Sequence, residues 1–174
     1  MHLLIYLQMI DGPEDRSKFE QLYLAYRGLM YFIAESILGN EQDAEDAVHD
    51  AFVSVAKNIS KIADPERAKT KAYLVTIVES KAIDLYRRKK RYQSVQLSEE
   101  LEGFPIEYEG DNGLARCMAK LPARYREFLL LKYAQGFDNG DLAAQFGLSM
   151  DAIYKLDQRA RAKLKTLCEE EGVL

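Results

Sequence analysis

Residues 137–156 read FDNGDLAAQFGLSMDAIYKL, and the spacing within them decides the fold. Leu142, Phe146, Leu148, Ile153 and Leu156 are apolar at intervals that suit two short helices, with Gly147 where one must turn into the other. The small Ala143 lets the two helices approach closely, glycine accepts the positive φ of a tight turn, and Ile153 pins the second helix onto the first. Asp138 and Ser149 stand where N-caps belong, because a short side-chain oxygen there satisfies a first-turn N–H. This is helix-turn-helix spacing, and Lys155, Arg159, Arg161, Lys163 and Lys165 follow along the second helix. Two readings stay open on these residues alone: a motif whose cations meet DNA phosphates, and a helical hairpin that binds no nucleic acid.

Upstream, helical periodicity continues. From Glu14 to Leu38 the residues Phe19, Leu22, Tyr26, Leu29, Met30, Ile33 and Ile37 recur at three and four, and Gly39-Asn40 ends the run. Asn40 caps a second helix reaching about Ile59, with Glu41 and Asp43 at the positive end of its dipole. Its apolar stripe is Ala44, Val48, Phe52, Val55 and Ile59, which leaves Asp43, Asp46 and Asp50 in one row. A third helix is expected from Pro65-Glu66 to about Arg91. Leu74, Ile77, Val78, Ala82 and Leu85 form its core side, and Lys69, Tyr73, Thr76, Ser80, Arg87 and Arg91 lie opposite. Residues 93–112 then break every periodicity, with two glycines, a proline and no basic residue. The expectation is an all-α protein: a first helical domain over 1–92, a flexible acidic linker over 93–112, and a second helical domain over 113–174 that contains the helix-turn-helix.

Charge follows the same divisions. The chain of 174 residues carries a net −4, but residues 1–60 hold −6, residues 61–92 hold +6, residues 93–113 hold −6 and residues 114–174 hold +2. Basic residues clustered on an acidic chain fit a local phosphate contact, and equally a hydrated basic helix face. The charge map suggests a −6 linker that folds over the +6 helix, an internal mimic of nucleic acid. With 48% hydrophobic and 30% charged residues, the composition excludes collagen-like, mucin-like and wholly disordered chains. The apolar start, Leu3 to Ile10, falls far short of the roughly 20 residues of a membrane span, and no basic residue precedes it as in a signal peptide. A cytoplasmic protein with no membrane span is therefore expected. Cys117 and Cys168 are far apart in sequence, and only His2 and His49 could assist them, so no disulfide framework and no metal site is indicated. No nucleophile, base and orienter set and no phosphate loop is present, so neither catalysis nor a cofactor is expected.

Over about residues 15–170 the chain resembles the extracytoplasmic-function sigma factors of bacterial RNA polymerase. FEQLYLAYRGLMYFIAESILGNEQDAEDAVHDAF resembles the start of their first conserved domain, with DAED at Asp43 to Asp46 and then Phe52. KAYLVTIVESKAIDLYRRKKR is similar to the promoter-melting and promoter-reading helix. LARCMAKLPARYREFLLLKYAQGFDNGDLAAQFGLSMDAIYKLDQRARAKL is similar to the second domain, with Leu121-Pro122, Arg126-Glu127 and Arg159-Ala160-Arg161 at family positions.

The resemblance implies a promoter-specificity subunit that recruits core RNA polymerase to promoter DNA and assists melting, with an anti-sigma factor as a further partner. It implies that Asp43, Asp46, His49 and Asp50 dock on the polymerase. It places Lys69, Lys71, Tyr73, Ser80 and the run Arg87, Arg88, Lys89, Lys90 and Arg91 at the minus-ten element, Tyr73 standing where the family usually has tryptophan. An aromatic face there can hold an unstacked base, although a packed core tyrosine is the alternative for Tyr73. It places Ser149, Met150, Tyr154, Lys155, Gln158, Arg159, Arg161 and Lys163 at the minus-thirty-five element, with Lys155 suited to a guanine edge and Gln158 to an adenine. Tyr154 and Leu156 occupy places commonly basic, Asp151 and Asp157 add repulsion toward phosphates, and Glu79 stands where the melting helix often carries arginine. The competing reading is a helix-turn-helix regulator that acts without polymerase.

Overall fold

Gly12 at φ +87° and Pro13 at the first helical position open a long helix whose first turn carries Glu14 and Asp15. This is α2 (Pro13–Leu38), preceded by the short α1 (Leu3–Gln8). Gly39, at φ +64°, closes α2, its N–H donating to the Glu35 carbonyl at 2.7 Å. The next residue caps α3 (Glu41–Lys57): the Asn40 side-chain oxygen accepts from the Asp43 N–H at 3.0 Å, as its sequence position predicts. A 3-10 turn over Ile59–Lys61 leads toward α4 (Ala68–Lys90). The computed structural model describes residues 2–90 and 113–174. Arg91 and the expected acidic linker, with the internal mimicry suggested for it, lie outside the described residues.

The chain divides into two compact units, Met1–Gln96 and Leu97–Leu174. In the first, α2, α3 and α4 pack on one another and α1 rests on α2 and α3. Their core centres on aromatic rings: Tyr23 and Phe52 lie 4.9 Å apart between centroids, and Tyr6 and Phe19 lie 5.5 Å apart. Phe19, Leu22, Met30 and Ile33 of α2, with Ala44, Phe52 and Val55 of α3, are buried there as their periodicity predicts.

Three departures from the sequence reading concern the extent and phase of the helices. The third helix begins at Ala68 rather than Pro65, because residues 64–67 form a turn in which Arg67 N–H bonds the Asp64 carbonyl at 3.1 Å and the Tyr26 hydroxyl holds the Pro65 carbonyl at 2.8 Å. Along α3 the buried stripe takes Ala47 in place of the expected Val48, one residue earlier, and along α4 it takes Ile83 in place of the expected Leu85, two residues earlier. The third departure is α1 itself, six residues long and too short to register as periodicity. Tyr6 and Ile10 are buried, and Arg16 ties this end of the chain by donating to the Ile10 carbonyl at 2.8 Å.

The second unit holds α5 (Gly113–Lys120), α6 (Ala123–Leu129), a π turn over Leu130–Ala134, α7 (Asn139–Phe146) and α8 (Met150–Glu170). The π turn closes with Gln135 N–H on the Leu130 carbonyl at 2.9 Å. Both caps read from the sequence are present. The Asp138 carboxylate accepts from Asp141 N–H at 2.7 Å while Asp141 reaches back, forming a capping box, and Ser149 Oγ accepts from Ala152 N–H at 3.2 Å. Gly147 sits at φ +64°, and its neighbour's N–H reaches the Ala143 carbonyl at 3.0 Å, so the tight turn forms where its spacing placed it. Leu142, Ile153, Leu156 and Ala160 are buried beneath it.

Cys117 of α5 and Cys168 of α8, separate in sequence, share a hydrogen bond in the core of this unit. Burial, with the second thiol beside it, pushes the Cys117 thiol up to about 11, which keeps it from the reactive thiolate form at neutral pH. In a thiol titration with an aromatic disulfide at pH 8, the folded chain should stay unreactive at Cys117 until urea unfolds it. Rapid labelling of the folded chain would contradict this packing.

Candidate functional site

The acidic row on α3 divides by environment. Asp46 and Asp50 are exposed, whereas the Asp43 side chain is only 13% exposed and both its oxygens accept from Lys89 Nζ near the end of α4. The sequence reading assigns these two residues to different partners, and the structure pairs them with each other. The contact ties the start of α3 to the end of α4. His49 is half-buried, and the Tyr6 hydroxyl meets its Nδ1 at 2.7 Å. Burial, together with Tyr23 and Asp50, pushes the Tyr6 hydroxyl up to about 12, so it stays protonated at neutral pH. Glu45, Asp46 and His49 line one side of a groove of about 520 Å³, with Tyr6, Arg27 and Tyr31 among the other lining residues. Sequence reasoning missed Tyr6 as the partner that orients His49, since the apolar start of the chain carries no helical signal of its own.

On α4 the basic residues sit at the two ends. Lys71 is exposed and Lys69 half-buried in the first turns; Arg88 and Lys89 are exposed in the last turns, with Arg87 and Lys90 half-buried. About 24 Å of helix separates Lys71 from Arg87. Between them, residues 72–79 are buried on every side, as befits a helix segment enclosed in a core. Tyr73 is 0% exposed, which corrects the outward face assigned to it and takes it out of reach of an unstacked base; its amphipathic ring serves the packed core. Thr76, also expected outward, is buried and donates to the Ala72 carbonyl at 2.7 Å. Glu79, which stands where the melting helix of the family often carries arginine, is buried as well, and Ser80 is half-buried at the edge of this segment.

In the second unit the outward face of α8 agrees with its periodicity: Ser149, Met150, Tyr154, Lys155, Gln158, Arg159, Arg161 and Lys163 are all exposed. Ser149 spends its hydroxyl as the N-cap. Asp157 is the exception to its expected setting. It is buried, and its carboxylate accepts from Lys132 Nζ at 3.0 Å, Tyr133 OH at 3.0 Å and Arg161 Nε at 3.2 Å. Burial by itself would raise this carboxyl, but the hydrogen bonds from Lys132 and Tyr133, with the charges of Lys132 and Arg161, hold it below the usual aspartate value. Lys132 and Tyr133 belong to the π turn and carry no distinguishing signal in the sequence, where they follow an apolar run that reads as core. Among the described residues no group of three or more metal-ligating side chains occurs, and no helix is long and apolar enough to cross a membrane.

Comparison with known proteins matches residues 22–92 to Sigma-70 region 2 and residues 112–164 to Sigma-70 region 4, together over two thirds of the chain. The chain is 25% identical over 158 residues to the ECF RNA polymerase sigma factor SigM of Mycobacterium tuberculosis, covering 88% of this chain and 78% of the relative. It is 29% identical over 174 residues to the RNA polymerase sigma factor CnrH of Cupriavidus metallidurans, covering 91% and 90%. Among solved structures, the sigma factor RpoE in complex with the anti-sigma factor NepR from Bartonella quintana is similar at 23% identity and a TM-score of 0.41, covering 87% of this chain and 96% of that one.

Two outcomes are expected from this geometry. Tyr73→Ala should cost about 3–5 kcal/mol of stability in urea unfolding, the range for a buried ring truncated in a core; a loss below about 1 kcal/mol would place the ring outside the core. Because the native Asp157 carboxyl lies below its unfolded value, its stabilising contribution is complete above about pH 4 and is lost as pH falls through the native value. The urea midpoints of the wild type and Asp157→Asn should therefore differ at pH 7 and converge toward pH 2.

Proposed function

The chain belongs to the extracytoplasmic-function family of RNA polymerase sigma factors, and on that premise we propose how its residues share the work of bringing core polymerase to promoter DNA. The observation that carries the division is electrostatic: exposed carboxylates on α3 of one unit and exposed cations along α8 of the other. Asp46 and Asp50 dock the first unit on basic residues of core polymerase, with His49 beside them. Asp43 takes part through the helix end it orients, since Lys89 already holds its carboxylate. Lys69, Lys71 and Ser80, with Arg87, Arg88, Lys89, Lys90 and Arg91, act at the minus-ten element as backbone contacts. Tyr73 has no part in this.

The second unit reads the minus-thirty-five element with α8 in the major groove. Met150, Tyr154, Lys155 and Gln158 face the base edges, while Arg159, Arg161 and Lys163 face the phosphates and Ser149 fixes the helix start. Promoter opening follows from tighter binding of the open than of the closed DNA, so the chain acts by binding and not as an enzyme. The work is cytoplasmic, and an anti-sigma factor is the further partner that the family implies. A regulator using only the helix-turn-helix would leave the acidic face of α3 without a role and is not favoured.

Asp46→Lys with Asp50→Lys should abolish co-purification with core RNA polymerase while far-ultraviolet circular dichroism stays unchanged, because both side chains are exposed. Retained association would move the docking surface elsewhere. A run-off assay with core polymerase over genomic fragments tests the whole reading: start sites should appear only when the chain is present.

A further inference from the structure

Asp157 lies one residue from Gln158 and two from Lys155, on a helix assigned to DNA, where a carboxylate would ordinarily repel phosphates. Its surroundings change that sign. The Asp157 side chain is 9% exposed, while Arg161 beside it is 57% exposed and Tyr133 is 58% exposed. One shielded carboxylate between two cations leaves a local charge of one positive. Lys132 has three N–H donors and gives one to Asp157; Arg161 has five and meets Asp157 through Nε. The terminal amino groups of Arg161, the part of a guanidinium suited to bidentate contact with phosphate, are not spent on Asp157.

Position matters as much as charge. Tyr154, Asp157 and Arg161 are spaced at three and four along α8 and so share one side of it, and Tyr154 is exposed there. Lys132 and Tyr133 reach that side from the π turn, a rare helical form that recurs at functional sites. We propose that Asp157 is a positioning residue of the DNA-reading surface: it holds Lys132 of the π turn and Arg161 of α8 around one carboxylate, at a fixed spacing for adjacent phosphates of the duplex that α8 enters. Lys132 thereby joins the phosphate contacts, and Tyr133 braces the carboxylate that aligns them. The inference rests on the assignment of α8 to DNA.

The test uses the full chain, a 30-base-pair duplex of mixed sequence and fluorescence anisotropy across a salt series, since phosphate binding is independent of sequence. Asp157→Asn removes a negative charge, so simple electrostatics predicts tighter binding. Positioning predicts the opposite: binding weaker by roughly three- to tenfold at low salt, and a slope of log K against log salt shallower by about 0.9 for each phosphate that is no longer neutralised. Lys132→Gln should make the slope shallower by about 0.9 and serves as a second reading if Asp157→Asn unfolds; thermal melts of each variant establish folding. Equal or tighter binding by folded Asp157→Asn, or an unchanged slope for Lys132→Gln, overturns the inference if Lys155→Ala and Arg159→Ala still weaken binding. If those two also leave binding unchanged, the assignment of α8 to DNA fails and the inference falls with it.

Discussion

The enclosure of α4 over residues 72–79 constrains everything the first unit can do. A helix covered on all sides supplies the core with Leu74, Ile77 and Val78 and cannot also present its middle turns to a partner. Polar work is displaced to its two ends and to the outer face of α3. The ends carry the lysines and arginines, and α3 carries the carboxylates, so opposite charges occupy different surfaces of one small body. The Asp43–Lys89 contact is where the two surfaces touch. Each side of the division can therefore meet a partner of opposite charge without competing for the same residues.

The second unit solves a different problem, that of holding a helix-turn-helix at a fixed angle with few residues. Gly147 in the left-handed region, the capping box at Asp138 and the cap at Ser149 define both helix ends at the turn. Leu142 and Ile153 bury the contact between them. The remaining freedom of α8 is taken up by Asp157, which ties its middle to the π turn through Lys132 and Tyr133. A carboxylate so buried is tolerable only because its partners are charged and well placed.

Much of this is legible in the sequence. The caps at Asn40, Asp138 and Ser149, the turn at Gly147 and the outward row of α8 all follow from local chemistry: side-chain oxygens that accept from first-turn amides, a glycine at positive φ, and a 3.6-residue period. The failures share a cause. Tyr73 and Thr76 fall on a face that is polar by periodicity, yet neighbouring helices cover that face too, and a single-helix period cannot report how many neighbours a helix has. Asp157 reads as an isolated charge because its partners Lys132 and Tyr133 stand 25 and 24 residues away. The pairing of Cys117 with Cys168 is hidden for the same reason. Only tertiary packing brings such pairs together.

The length of α8 carries a last consequence. Its early turns face outward, while Leu167 and Cys168 near its end are buried, Cys168 against Cys117 of α5. Over 21 residues it is a rod of about 30 Å, so its far end acts as a footing and its near end as a probe. A substitution at Leu167 therefore changes the direction in which the exposed row around Lys155 points, as a loosened tripod changes the aim of a telescope.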